Sequence, residues 1–145
     1  MSAALILFAH GARDPRWSAP FEAVVALLQA TQPQLPVRLA YLEFMQPDLP
    51  QAAAELAELG CTDVTVLPMF LGAGGHVRKD LPALMEQLRA SHPWMRLHLR
   101  PAIGEEAAVV DAMARVALAA VGLATVKANA QQPPPSEQQP AGQTR

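Results

Sequence analysis

Two histidines and a glutamate stand in loops that follow segments typical of buried strands. His10 and Glu43 come after two such segments, and His76 follows a third within a glycine-rich stretch. Imidazole and carboxylate groups commonly transfer protons or bind ligands in proteins. A lone histidine in such a loop is more often an ordinary loop residue, but groups that meet at one edge of a sheet would predict a functional site.

Basic residues cluster in the same loops. Arg13 and Arg16 follow the first histidine, and Arg78 and Lys79 follow the second, so these loops hold four of the 11 lysines and arginines. A ligand with several carboxylates would explain the clustering. The alternative is a solvated rim in which neighbouring aspartates balance the cations. The sequence leaves both interpretations open.

The glycine-rich segment GAGG, residues 72–75, could form an anion-binding nest. It matches neither GxGxxG nor GxxxxGK[ST], so a nucleotide site is not indicated. Its glycines allow backbone or ligand to approach closely. The eleven residues between Pro68 and Asp80 form a longer connection than most strand-to-helix turns, which favours a functional loop.

The segments around these loops have the hydrophobic patterns of an α/β sheet. Residues 5–8 and 64–67 are mostly apolar on both faces, which is typical of central strands covered by helices. Residues 37–41 and 95–100 alternate apolar and polar side chains, which favours edge strands. We expect a doubly wound, four-stranded parallel sheet in the order 2-1-3-4, with helices on both faces. Ligands bind such sheets beyond the carboxyl ends of the strands, where the two histidines and the glutamate are predicted to lie.

Four amphipathic segments predict the helices of this fold. Their apolar faces comprise Phe21, Val24, Val25 and Leu28 in the first, Leu49, Ala52, Ala53 and Leu56 in the second, Leu81, Leu84, Met85 and Leu88 in the third, and Val110, Met113, Ala114 and Ala117 in the fourth. Asp48 and Asp80, each followed two residues later by a proline, are the predicted N-caps of the second and third helices. The fourth helix is predicted from about residue 105 to 121.

Composition restricts the class of protein. The 145 residues are 51% apolar and 17% charged, with a formal net charge of -2, which predicts one domain at residues 1–127. Residues 128–145, rich in glutamine and proline, are predicted to be disordered. The charge balance argues against nucleic acid or an anionic membrane as partner. No apolar stretch is long enough to span a bilayer, and a single cysteine requires no oxidising compartment, so we expect a cytoplasmic protein.

Three ordered motifs give the chain a close resemblance to the small class II tetrapyrrole chelatases of the CbiX/SirB kind. The motifs are LFAHGARDP at residues 7–15, AYLE at 40–43 with Pro47 following, and LPMFLGAGGHVRKDLP at 67–82. The resemblance covers roughly residues 4 to 121 and departs at Ala12, where the family usually has serine. It implies a chelatase-like α/β half that inserts a divalent metal into sirohydrochlorin, in cobalamin or sirohaem synthesis.

The resemblance also implies roles for the loop residues. His10 and His76 would bind the incoming metal and face the macrocycle, and Glu43 would be a further ligand or a proton acceptor. The residues expected to bind the macrocycle are Arg13, Gly74, Gly75 and Arg78. The metal is a substrate, and no other cofactor is expected.

The sequence indicates the metal and the oligomeric state less directly than it indicates the fold. Neutral imidazole suits Co²⁺, Fe²⁺ and Ni²⁺ alike, so the residues do not identify the metal. We expect Co²⁺, with ferrochelatase or nickelochelatase activity as alternatives. Larger members of the superfamily enclose the macrocycle between two α/β halves, and this chain has residues for only one. The resemblance therefore implies a homodimer.

Two other functions are compatible with the same residues. A tetrapyrrole or metal carrier without turnover would need the same site, because binding groups alone do not establish catalysis. A phosphotransfer enzyme with His10 as nucleophile is the second alternative. The sequence disfavours it, because histidine phosphatases usually have arginine directly before the histidine-glycine pair, and Ala9 occupies that place.

Overall fold

Four parallel strands form a single sheet in a computed structural model that describes residues 2–72 and 74–123, except for the side chain of His76. The strands are β1 (Ala3–Ala9), β2 (Val37–Tyr41), β3 (Asp63–Pro68) and β4 (Arg96–Leu99). They lie in the order β2-β1-β3-β4, which confirms the predicted order and the central position of β1 and β3. The predicted disordered segment, residues 128–145, lies outside the described residues.

The main core lies on one face of the sheet. Alternate residues of the two central strands, Ile6 and Phe8 in β1 and Val64 and Val66 in β3, are buried there. The chain's only cysteine, Cys61, is buried in the same core, just before the amino end of β3, and it forms no disulfide. The other face differs between the two strands: Leu7 and Ala9 of β1 are also buried, whereas Asp63, Thr65 and Leu67 of β3 are only partly buried.

Helix α2 (Leu49–Glu58) covers this core as predicted. Leu49, Ala52, Ala53 and Leu56 are all buried. Its start is fixed by a capping box, in which the Asp48 carboxylate accepts from the Gln51 N–H at 2.9 Å and the Gln51 side chain accepts from the Asp48 N–H at 2.8 Å. The predicted N-cap and apolar face of this helix are therefore confirmed.

Helix α3 (Gly75–Ser91) begins earlier than predicted. Gly74 is its N-cap, so Asp80 is not a cap and Pro82 lies inside the helix. A proline there removes one backbone hydrogen bond, at a typical cost of about 3 kcal/mol. The earlier start adds the contact of Val77 with the core to the buried contacts of the predicted face. The connection from β3 is correspondingly residues 69–74, shorter than the eleven-residue loop predicted.

Helix α1 (Ala19–Thr31) lies on the other face of the sheet, preceded by a one-turn 3₁₀ helix, Pro15–Ser18. Tyr41 follows the core residue Ala40 at the end of β2, so its side chain lies on the opposite face of the sheet from that core. Its hydroxyl lies near Ser18. No residue of α1 is fully buried, and Val24, predicted to face inward, is exposed. The helices on the two faces thus differ in how completely they are packed.

The described chain divides into two compact units, with the boundary between Val109 and Val110. The first unit ends with β4, a short 3₁₀ turn at Ile103–Glu105 and the start of helix α4 (Ala107–Ala120). In the second unit, Val110 and Met113 are 45% and 42% exposed, so the predicted inward face of α4 is wrong for these residues. Within residues 2–72 and 74–123, no helix is both long and apolar enough to cross a membrane.

Candidate metal and macrocycle site

His10 lies immediately beyond the carboxyl end of the central strand β1. Its ring packs edge to face against Phe70, which follows β3, with 5.3 Å between the ring centroids. Its carbonyl oxygen accepts from the Glu43 N–H at 3.1 Å. The neighbouring Leu42 N–H donates to the Ala9 carbonyl at 2.9 Å, so the pairing of β1 and β2 continues past the strand ends. This continued pairing holds His10 beside Glu43.

Gly11 lets these two loops approach. Its φ of +93° lies in the left-handed region, which glycine enters without the penalty that other residues meet. A Cβ atom on Gly11 would overlap the carbonyl oxygen of Glu43. The loop after β1 therefore needs glycine for its backbone conformation and for space.

A cleft of about 440 Å³ opens at this edge of the sheet. Apolar side chains of α3 form one wall, and two carboxylates and an imidazole supply its polar groups. The lining residues are Phe8, His10, Leu42, Glu43, Val77, Asp80, Leu81 and Leu84. The structure thus brings His10 and Glu43 into one cleft, as predicted, at the position where parallel sheets bind ligands.

Asp80 is the residue of this cleft that the sequence analysis missed. Its interpretation as a helix cap placed it outside the site. With α3 starting at Gly75, Asp80 falls on the helix face that also carries Val77, Leu81 and Leu84. A carboxylate within an otherwise apolar stripe is the signal that could have identified it.

His76 is the second residue of α3, and the structure does not describe its side chain. Its backbone precedes Asp80 by about one helical turn. The predicted pairing of His10 with His76 therefore stays a prediction. Among the side chains that are described, no group of three or more histidine, cysteine, aspartate or glutamate residues could hold a metal ion.

The residues predicted to bind the macrocycle occupy three different places. Arg13 lies over the Phe44 ring, with its guanidinium carbon 4.9 Å from the centroid. Gly74 and Gly75 form the exposed start of α3, and no described atom would lie within 4 Å of a Cβ added to either. Arg78 lines a separate hollow beside the cleft, which it shares with Arg100.

The end of β2 is fastened to the element that follows the His10 loop. Tyr41 is buried, and burial raises the pKa of its hydroxyl above the ordinary value. A hydrogen bond with Ser18 opposes the rise, and the nearby Glu22 carboxylate adds to it. Ser18 is itself buried and donates to the Glu22 carboxylate. Ser18 thus lies near Tyr41 at the strand end from which Leu42 and Glu43 enter the cleft.

Comparison with known proteins gives one family. The family model for CbiX matches residues 4–120. Sirohydrochlorin cobaltochelatase from Sulfolobus acidocaldarius is 27% identical over 108 residues, which cover 74% of this chain and 83% of the relative. The protein of the same name from Methanocaldococcus jannaschii is 33% identical over 92 residues, which cover 61% of this chain and 62% of the relative.

Solved structures agree in fold. A crystal structure of a CbiX protein assigned to cobalamin (vitamin B12) biosynthesis in Marinobacter aquaeolei VT8 is 33% identical, with a TM-score of 0.71, covering 82% of this chain and 97% of that one. The sirohydrochlorin chelatase SirB from Bacillus subtilis subspecies spizizenii, in complex with cobalt, is 22% identical with a TM-score of 0.69. That match covers 81% of this chain and 50% of SirB.

Proposed function

This chain belongs to the CbiX family, and from that premise we propose that it is a chelatase that inserts a divalent metal ion, Co²⁺ by preference, into sirohydrochlorin with release of two protons. One observation of the structure carries the proposal: His10 and Glu43 share one cleft at the carboxyl edge of the sheet. The metal is a substrate of this reaction.

The chemistry of insertion matches the groups in the cleft. A divalent ion must be held without its full hydration shell, and two pyrrole N–H protons must leave as it enters the ring. Imidazole nitrogen and carboxylate oxygen can do both. His10 and His76 bind the metal on its way to the ring, and Glu43 is an additional ligand or accepts a proton. Asp80 supplies a second carboxylate to the same cleft.

The macrocycle lies against the open edge of the cleft. Gly74 and Gly75 leave the start of α3 without side chains, so a flat ring can approach the backbone closely there. Arg13 and Arg78 bind carboxylates on the periphery of the ring. The exposed side chains of Leu42, Phe44 and Leu71 near the same edge provide apolar surface for the ring itself.

Selection among metals does not come from ligand type. Imidazole and carboxylate bind Ni²⁺ more tightly than Co²⁺, and Co²⁺ more tightly than Fe²⁺, at an undiscriminating site. We choose Co²⁺ as the substrate metal because the relatives are named cobaltochelatases and SirB has been crystallised with cobalt. SirB has also been solved with Fe³⁺, so iron insertion is the first alternative and nickel the second. The product then enters cobalamin synthesis, or sirohaem synthesis if iron is used.

The active form is a homodimer in the cytoplasm. The chain covers 50% and 48% of the SirB chains that it matches, and a second copy of this α/β unit would supply a second wall for the macrocycle. A two-fold pair would close the open side of the cleft. The free Cys61 thiol is compatible with a reducing compartment. A monomeric, fully active protein in sedimentation measurements would contradict the dimer.

Turnover distinguishes the enzyme from a carrier. Purified protein is mixed with sirohydrochlorin and Co²⁺, and insertion is followed by visible absorbance. His10→Ala should reduce the rate by about 100-fold or more, because the ion loses a ligand at the ring. His98→Ala is the matched control, since His98 is exposed on β4 and pairs with Asp63 outside the cleft at 2.7 Å. Wild-type protein that binds the macrocycle but inserts metal no faster than buffer would establish the carrier instead.

A further inference from the structure

A second hollow lies against α3 beside the His10 cleft. It shares Val77 and Leu81 with the cleft, and its floor includes Phe70, whose ring contacts His10. Arg78 and Arg100 are among its lining residues. The hollow thus adjoins the proposed site of metal insertion, and it combines apolar lining residues with two arginines.

Contacts between distant segments of the chain hold the residues around this hollow in place. The 3₁₀ turn after β4 lies against the segment after β3, and the Gly104 N–H donates to the Phe70 carbonyl at 2.9 Å. A Cβ atom on Gly104 would overlap the backbone of Leu71. This close approach fixes Arg100 and the turn relative to Phe70, so the hollow does not depend on a loose loop.

Both arginines have guanidinium N–H donors without a partner among the described residues. Within the part of the chain that the structure describes, the Arg78 guanidinium makes no hydrogen bond or ion pair. Arg100 makes one contact, at 3.3 Å, with Glu106. The acid inside the hollow, Glu105, uses its carboxylate to accept from the Ala102 N–H at 3.2 Å. Each guanidinium carries five N–H donors, so both can still bind an anion.

The size of the hollow restricts what enters it. Its volume is about 210 Å³, whereas pockets that hold a whole small molecule usually measure about 300–1,000 Å³. A short chain that ends in a carboxylate fits the volume, the apolar lining residues and the two arginines together. A tetrapyrrole lying in the neighbouring cleft carries such chains on its periphery.

We propose that this hollow holds one carboxylate side arm of the macrocycle, with Arg78 and Arg100 binding the same carboxylate. The inference rests on the proposed function and adds to it a residue, Arg100, that the sequence analysis did not select. Anchoring one arm here fixes the rotation of the ring over His10. It also selects macrocycles that carry a carboxylate at that position.

The test measures binding of metal-free sirohydrochlorin to the purified full chain, by the change in its visible spectrum. Arg100→Gln and Arg78→Gln should each raise the Kd about tenfold or more, since each removes a charge-assisted hydrogen bond. The double variant should lose less than the product of the two single losses, because both side chains bind one carboxylate. At saturating macrocycle, the KM for Co²⁺ should stay unchanged.

Arg96→Gln is the matched control, because Arg96 is an exposed arginine at the start of β4, the strand that Arg100 follows, and it lines neither cavity. Arg100→Lys keeps the charge without the planar fork and should lie between wild type and Arg100→Gln. Single variants that bind as tightly as wild type, or losses that multiply in the double variant, would overturn the shared carboxylate. Wild-type protein that fails to bind sirohydrochlorin would refute the proposed function itself.

Discussion

The two sides of the cleft are constructed differently. On the side of β1 and β2, the protein's own contacts fill the space: Gly11 lies against Glu43, backbone pairing continues past the strand ends, and Tyr41 is fastened to Ser18. On the side of α3, no described atom lies within 4 Å of the place where a side chain on Gly74 or Gly75 would begin. The glycines in the two loops are therefore present for different physical reasons.

The difference separates folding from ligand approach. Glycine at position 11 is required by the protein alone, because any larger residue would meet the Glu43 carbonyl. Glycines 74 and 75 are not required by any contact among the described residues, and under the proposed function they leave room for the macrocycle. Substitutions on the two sides should then affect different properties.

The largest effect is expected at Gly11. Gly11→Ala should lower the free energy of unfolding by about 3 kcal/mol or more, since a left-handed alanine costs roughly 1–2 kcal/mol and overlap with backbone adds a similar amount. Gly75→Ala should stabilise the helix start by up to about 1 kcal/mol while reducing macrocycle affinity. Urea unfolding of both variants, with spectral titration of sirohydrochlorin, tests this contrast. Equal stability of the two variants would contradict it.

The second effect compares a carboxylate from each side of the cleft. Glu43→Gln and Asp80→Asn should each slow metal insertion about 10- to 100-fold, because each removes a group that can take a pyrrole proton or bind the ion. The folded stability of both variants should be close to that of wild type, since both side chains are exposed. Glu58→Gln, at the far end of α2, is the control. Full activity of Asp80→Asn would limit the chemistry to the β1 and β2 side.

The smallest effect concerns Tyr41, the only tyrosine of the chain. Because burial raises the pKa of its hydroxyl in the folded protein, native protein should form tyrosinate at higher pH than urea-unfolded protein. The folded state binds this proton more tightly, so the contribution to stability is complete below the unfolded pKa and is lost as pH rises above it. Near-ultraviolet absorbance titration follows the single group without interference.

Removing the Ser18 hydrogen bond should move that titration further. The bond with Ser18 lowers the pKa of Tyr41, so Ser18→Ala should raise it beyond the wild-type value. A native midpoint at or below that of the unfolded chain would show that the end of β2 is not fastened as described. The β1 and β2 side of the cleft would then lack one of the contacts described above.

Hydrophobic patterning predicted the sheet order and the strand directions correctly. The mostly apolar runs of β1 and β3 identified the centre, and the carboxyl-edge rule pointed to the edge where His10 and Glu43 lie. These features follow from local sequence because a central strand has few exposed positions and is therefore rich in apolar residues.

The start of α3 could not be predicted in the same way. An Asp-Leu-Pro sequence caps α2 at Asp48, but the same sequence at Asp80 lies inside a helix. The difference is tertiary, because Val77 gains core contacts that the sequence window does not show. The same error concealed Asp80 in the cleft, and the hollow with Arg100 depends on an approach between distant segments at Gly104.

The burial of Cys61 has a consequence for a protein that delivers its metal. Thiolates hold Co²⁺ and similar ions firmly, and an accessible thiol near the entrance would compete with the ring for the cargo. This thiol is enclosed in apolar surroundings before the amino end of β3, whereas the cleft opens at the carboxyl end. Among the described residues that line the cleft, an arriving ion meets only nitrogen and oxygen donors, from which it can move on to the ring.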